Sequence, residues 1–273
     1  MSWWRGVICA ACLCAGMARG ETLVERGDYL VRGIMACGAC HSPSELSASN
    51  REFTGRLVGD GPDHSAWAPN LTSAGAIAAW SDAAIGRAIR EGIRPDGTRI
   101  GRPMPIALYR GLSDQDLAAI VAFLRTLPPV EGDPPGAANP RPPPASYGFP
   151  VGHVAEIPRG PTAAYGAYLA GPVMACLDCH TPRGRDGQPL LASALGQGGA
   201  RFDGPWGVAV APALTADRLA GDSDAAIGTM IRYRVRPDGA LLGPPMPYAN
   251  YLRLTPEDLA AVIAYLRTVP EER

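Results

Sequence analysis

Two stretches of the chain carry apolar residues at helical spacing, Leu117, Ile120, Val121 and Leu124 in one and Leu259, Val262, Ile263 and Leu266 in the other. Each opens on an N-cap pattern: Ser113 stands three residues before Asp116, and Thr255 is followed by Pro256 and Asp258. The pattern predicts amphipathic helices over Ser113 to Leu127 and over Thr255 to Val269. A shorter helix is expected around Gly27, Tyr29 and Leu30 and again around Gly166, Tyr168 and Leu169, where glycine lets two helices cross closely. Sustained strand alternation is absent, so the expected fold class is all-α with long loops. Loops of that length need something to organise them.

The two helices belong to an internal duplication. Ser81 to Pro128 aligns with Ser223 to Pro270 at a constant offset, pairing Ala83-Ala84-Ile85-Gly86 with Ala225-Ala226-Ile227-Gly228 and Arg94-Pro95-Asp96-Gly97 with Arg236-Pro237-Asp238-Gly239. Upstream, Ile34-Met35-Ala36-Cys37 pairs with Val173-Met174-Ala175-Cys176, and Ala68-Pro69-Asn70-Leu71-Thr72 pairs with Ala211-Pro212-Ala213-Leu214-Thr215. Between the copies, Pro128 to Pro150 holds nine prolines among Gly, Asn and Ser, which favours extended chain. The expected organisation is a signal peptide over residues 1–20, a first domain over 21–130, a Pro-rich linker over 131–155 and a second domain over 156–273.

The first segment has Arg5 at its front, an apolar run from about Val7 to Met17 and Ala18-Arg19-Gly20 as a small-x-small cleavage site. Its apolar run is too short and interrupted to span a bilayer. Export to the periplasm is expected, with membrane association only through a partner. Cys9, Cys12 and Cys14 fall inside this segment as small apolar filler, the alternative being lipid attachment at one of them.

The remaining four cysteines form two short strings, Cys37-Gly-Ala-Cys40-His41 and Cys176-Leu-Asp-Cys179-His180. Each is a CxxCH, the signature of covalent c-type haem attachment. Both thiols reach the haem vinyl groups from one turn of backbone, and the adjacent imidazole becomes the proximal iron ligand. A zinc site would pair a CxxC with a distant second ligand pair, and no cysteine remains to supply one. Two covalently bound haem c groups are the expected cofactors, held by Cys37, Cys40, Cys176 and Cys179, with His41 and His180 on the iron.

The second axial ligand decides what the iron does. Each copy offers a methionine in one context, Met104 in Arg102-Pro103-Met104-Pro105 and Met246 in Pro245-Met246-Pro247, at 63 and 66 residues after the haem histidine. Flanking prolines stiffen a loop that has no helix or strand to support it. Met35 and Met174 also repeat, but two residues before a tethered cysteine they are packing residues. His64 and His153 have no counterpart in the other copy; either one ligating iron, or an open iron, would point to a dihaem peroxidase. A thiosulfate or sulfide dehydrogenase unit is a third reading, and no residue supports it.

With its CxxCH after a short helix, its proline-flanked Met loop and its final helix ending in Leu-Arg-Thr-x-Pro, the chain resembles class I c-type cytochromes over nearly its whole mature length. The strings Ala-Pro-Asn-Leu-Thr, Arg-Pro-Asp-Gly and Asp-Leu-Ala-Ala-Ile are similar to those of the cytochrome c subunits of bacterial periplasmic dehydrogenases acting on alcohols, aldehydes, gluconate or N-heterocycles. Those subunits commonly carry three haems, and this chain has two CxxCH motifs. The resemblance implies two tandem class I cytochrome c domains and an electron carrier, not an enzyme. Its partners would be a dehydrogenase donor and a cytochrome or oxidase acceptor. The second copy has Ala213 where the first has Asn70, so a polar contact near one haem is expected to be missing at the other.

Charge narrows the docking options. The chain has a formal net charge of -1 and all its basic residues are Arg. Removing Arg5 and Arg19 leaves 23 basic against 26 acidic residues, a net of about −3. Nucleic acid is an unsuitable partner, and a docking ring of lysines is impossible. Arg94 and Arg236 precede a Pro-Asp-Gly turn, where a solvated charge is the expected role and contact with haem propionates the alternative.

Overall fold

The computed structural model describes residues 20–43, 50–59 and 64–271. Residues 1–19 of the expected leader, with Cys9, Cys12 and Cys14, lie outside them. The first half runs α1 (Leu23–Asp28), which continues as a wider helical turn over Tyr29–Ile34, then α2 (Gly38–His41), β1 (Arg56–Gly59), β2 (Ser65–Ala68), α3 (Asp82–Glu91), α4 (Ile106–Tyr109) and α5 (Asp114–Leu124). The second half repeats the order with α6 (Ala163–Tyr168) and its continuation Leu169–Val173, α7 (Cys176–Cys179), β3 (Arg201–Gly204) and β4 (Gly207–Val210). A short α8 (Ala216–Leu219) then precedes α9 (Asp224–Tyr233), α10 (Tyr248–Tyr251) and α11 (Pro256–Leu266).

The caps act as the sequence indicates. Ser113 Oγ accepts from the Asp116 amide at 3.1 Å and Thr255 Oγ1 from the Asp258 amide at 3.1 Å, each satisfying an otherwise unpaired first-turn N–H. The α3 and α9 helices, with apolar residues at helical spacing in Ile85, Ala88 and Ile89 and in Ile227, Met230 and Ile231, use the same device at Ser81 and Ser223. The α1 helix packs on α5, and α6 on α11. The crossing requires glycine: a Cβ on Gly27 would lie 2.1 Å from the Ala119 carbonyl oxygen, and one on Gly166 would lie 1.9 Å from that of Ala261. Around these crossings Leu30, Val31, Ile34, Leu112 and Ala119 in one half, and Leu169, Val173, Ala261, Val262 and Val269 in the other, are buried.

The expected all-α class holds in its coarse form, with one addition. The fold is mostly helical, but β1 pairs with β2 and β3 with β4 as two antiparallel hairpins. With four residues per strand, alternation is too brief to register as a period of two.

Residues 127–162 contain no helix or strand, as the proline content favours, yet the segment is tied down along its length. The Ser65 amide donates to the Asn139 carbonyl at 2.9 Å, the Tyr147 hydroxyl to the Ile100 carbonyl at 2.9 Å, and the Asp114 amide to the Val154 carbonyl at 3.0 Å. The halves also touch reciprocally, α4 against Leu169–Val173 and α10 against Tyr29–Ile34.

Candidate functional site

Each CxxCH is a single helical turn. The His41 amide donates to the Cys37 carbonyl at 2.9 Å and the His180 amide to the Cys176 carbonyl at 2.9 Å, which brings two cysteines and a histidine together. The chain enters each turn through an alanine in the left-handed region, Ala36 at φ 52° and Ala175 at φ 51°. A non-glycine residue there costs on the order of 1–2 kcal/mol. The same strained residue at the same place in both halves reverses the chain between the preceding helix and the motif.

The imidazoles are oriented from behind. His41 Nδ1 lies 2.9 Å from the Pro69 carbonyl oxygen, and His180 Nδ1 lies 2.7 Å from that of Pro212. A carbonyl only accepts, so Nδ1 carries the proton and Nε2 keeps its lone pair, the tautomer an iron ligand needs. Burial pushes both imidazoles below the usual histidine range, partly offset by these carbonyls, which favours the neutral form.

Both motifs open onto one cavity of about 1150 Å³, above the roughly 300–1,000 Å³ range of ordinary small-molecule pockets. Met104 and Met246 line it with His41, His180 and all four cysteines, and Val31, Ile85, Ile120, Ile227 and Val262 contribute apolar wall. Protein interiors are close-packed, so an apolar cavity of this size marks the place of a large apolar guest. Burial raises the thiols of Cys37 and Cys176 to about 12, with the neighbouring cysteine adding to it, and that of Cys179 to about 11. Such walls suit uncharged thioethers better than metal-bound thiolates. Among the described residues no cluster of three or more His, Cys, Asp or Glu side chains is arranged to hold a metal ion. The residues present therefore fit haem c.

The other singled-out residues lie as follows. Met35 and Met174 are buried in the core and also border the cavity. Neither His64 nor His153 lines it; His153 is 78% exposed and its Nδ1 sits 2.6 Å from Asp114 Oδ2. Arg94 and Arg236 both border the cavity, and Arg94 Nη1 donates to the Arg99 carbonyl at 2.9 Å within its own turn. Asn70 makes its polar contacts away from the cavity: Nδ2 donates to the Val130 carbonyl at 2.9 Å and Oδ1 accepts from the Thr72 amide at 2.8 Å. What Ala213 lacks is thus a tether to the segment after the last helix.

Sequence patterns give no sign of a buried ion pair at the second motif. Asp178, inside that motif, receives Arg102 as a two-pronged partner at 2.8 and 3.0 Å and Arg183 at 3.1 Å. The Arg102 and Asp178 side chains are 4% and 9% exposed. Burial raises the Asp178 carboxyl, but the two guanidinium groups outweigh it and hold the group below the usual carboxylate range. The contact spans 76 residues, a distance over which no local pattern carries a signal.

A short helix leading to a CxxCH turn, a histidine fixed through its far nitrogen and a proline-flanked methionine on the same apolar cavity define a haem protein of the c type. The cytochrome c family model matches residues 17–128 and 163–270, and the chain belongs to that family. Its cofactor is covalently bound haem c and its role is electron transfer. The chain is 28% identical over 270 residues to a subunit of the nicotinate dehydrogenase of Pseudomonas putida, covering 94% of this chain and 22% of the relative. It is 28% identical over 278 residues to the cytochrome c subunit of the quinone alcohol dehydrogenase of Gluconobacter oxydans, covering 92% of this chain and 55% of the relative. A diheme c-type cytochrome of Cereibacter sphaeroides matches at 34% over 112 residues, 39% of this chain and 36% of the relative. The chain thus spans between about a fifth and a little over half of these relatives' lengths. Among the described residues no helix is long and apolar enough to cross a membrane.

Proposed function

We propose that the chain is a periplasmic dihaem carrier that takes electrons from a dehydrogenase and passes them to a respiratory acceptor, without bond chemistry of its own. In this reading residues 1–20 are a leader, and 21–130 and 156–273 are tandem cytochrome c domains joined by 131–155. Cys37 and Cys40 hold one haem and Cys176 and Cys179 the other, with His41 and Met104, and His180 and Met246, as axial pairs. The haem supplies a one-electron iron couple, whose potential a thioether ligand raises. The protein supplies position, burial and little reorganisation on electron transfer.

The observation that carries this reading is the shared cavity, bordered by both motifs and both proline-flanked methionines. A common, largely apolar cavity puts two redox centres within one wall. The dehydrogenase partner rests on the relatives, which are subunits of dehydrogenases for nicotinate and alcohol. The peroxidase alternative wants a histidine or a vacant face at one iron, and neither His64 nor His153 borders the cavity.

The test is the haem count. Protein matured in a host with c-type haem attachment should carry two haems by mass, and Cys37→Ala/Cys40→Ala and Cys176→Ala/Cys179→Ala variants one each. A single haem in the wild type overturns the proposal.

A further inference from the structure

The two methionine loops are equivalent in sequence but are held differently. In the first, Gly101 packs beneath the Pro-rich segment, where an added Cβ would meet the Arg141 carbonyl oxygen at 3.2 Å, and Arg102 is buried. In the second, Gly243 has nothing within 4 Å of an added Cβ, and the position of Arg102 is taken by Pro244, which has no side-chain donor. The partner position differs too: Asp178 in the second motif corresponds to Ala39 in the first. Among the described residues the charged contact between a methionine loop and the opposite haem motif therefore runs in one direction alone.

Its geometry suits a mechanical link. A guanidinium gripped by both carboxylate oxygens is fixed in plane as well as in position. Asp178 is itself steadied by Arg183, whose Nη1 donates to the Gly187 carbonyl at 3.0 Å. On the other side, Arg102 is separated from Met104 by Pro103, and Pro105 follows; ring-locked φ angles on both sides leave the loop few ways to move independently. The Met104 carbonyl then accepts from the Ile106 amide at 2.9 Å, tying the loop to α4.

We propose that Asp178 is a positioning residue for Met104: through Arg102, the second haem-attachment motif holds the methionine loop of the first site, and the first motif does nothing equivalent for Met246. This rests on the His/Met ligation proposed for both irons and adds a direction to it. The first site depends on the second for its sixth ligand, while the second keeps its own.

The test reads each ligand separately. In the reduced protein each iron-bound methionine gives a methyl proton resonance shifted far upfield, assigned here by its loss in Met104→Ala or Met246→Ala. Arg102→Gln and Asp178→Asn should each broaden or remove the Met104 resonance and lower the midpoint potential of the first site. The Met246 resonance should stay unchanged, and Arg102→Lys should recover part of the Met104 signal. Arg102→Gln leaves the attachment motif intact, so it carries the test should Asp178→Asn impair haem attachment. Wild-type Met104 resonance and first-site potential in Arg102→Gln, with two haems attached, overturn the proposal, as does equal loss of both methionine signals. A wild-type protein with no resonance that Met104→Ala removes overturns the ligation reading itself.

Discussion

Tyr29 in the first half donates its hydroxyl to Asp258 Oδ2 in the second at 2.5 Å, and the same position in the second half reciprocates, Tyr168 donating to Asp116 Oδ2 at 2.6 Å. Each tyrosine also sits on the other half's N-cap: the Thr255 amide donates to Tyr29 Oη and the Ser113 amide to Tyr168 Oη. The first turn of each final helix is thus closed by its own cap residue and by a side chain from the opposite half. The duplicated halves meet through duplicated contacts.

Removing one hydroxyl tests that exchange. Tyr168→Phe takes one buried donor from Asp116, which keeps Arg26 on its two oxygens at 2.7 and 3.0 Å, and a hydrogen bond to a charged group is worth about 1.5–3 kcal/mol. The loss should fall in that range for Tyr168→Phe and toward its lower end for the less buried Tyr29→Phe. Denaturant unfolding of the haem-loaded protein measures both, and unchanged stability in Tyr168→Phe would count against the exchange.

The helix crossings predict a graded response to alanine. At Gly27 and Gly166 the new methyl would strike backbone oxygen, which cannot step aside, so each variant should lose about 1–3 kcal/mol. At Gly86 the nearest atom is Leu117 Cδ2 at 3.2 Å, the end of a flexible side chain, and Gly86→Ala should be near neutral. Thermal melts that rank Gly86→Ala as the worst of the three would contradict the packing.

Asp28 gives stability an acid-side dependence. Burial raises its carboxyl, but Arg32 at 2.9 Å and Arg253, reaching across from the second half, more than offset this and lower it. A carboxyl depressed in the folded state contributes stability that is complete above its unfolded value of about 3.9 and is lost as pH falls through the folded value. Asp28→Asn should therefore melt below the wild type at neutral pH, with the gap closing under about pH 4. A gap that persists or widens in acid would mean that the pairing contributes nothing.

Legibility follows how local each signal is. The attachment motifs, the caps at Ser113 and Thr255 and the crossing glycines are patterns within a few residues, and each marks the structural feature its chemistry requires. The hairpins escape a reading of periodicity because four-residue strands leave no measurable alternation. The Pro-rich stretch reads as extended chain, and its composition gives no hint that Ala138, Pro140 and Pro143 border the cavity. The Arg102–Asp178 pair and the tyrosine exchange join residues far apart in the chain, so they emerge only once the halves are packed.

The central claim is closed coordination at both irons, and exposure of the reduced protein to carbon monoxide tests it most directly. With His41 and Met104 on one iron and His180 and Met246 on the other, the spectrum should not change on mixing, and the oxidised protein should be wholly low-spin by electron paramagnetic resonance. Prompt uptake of one carbon monoxide per chain, or a high-spin ferric signal, would contradict the account.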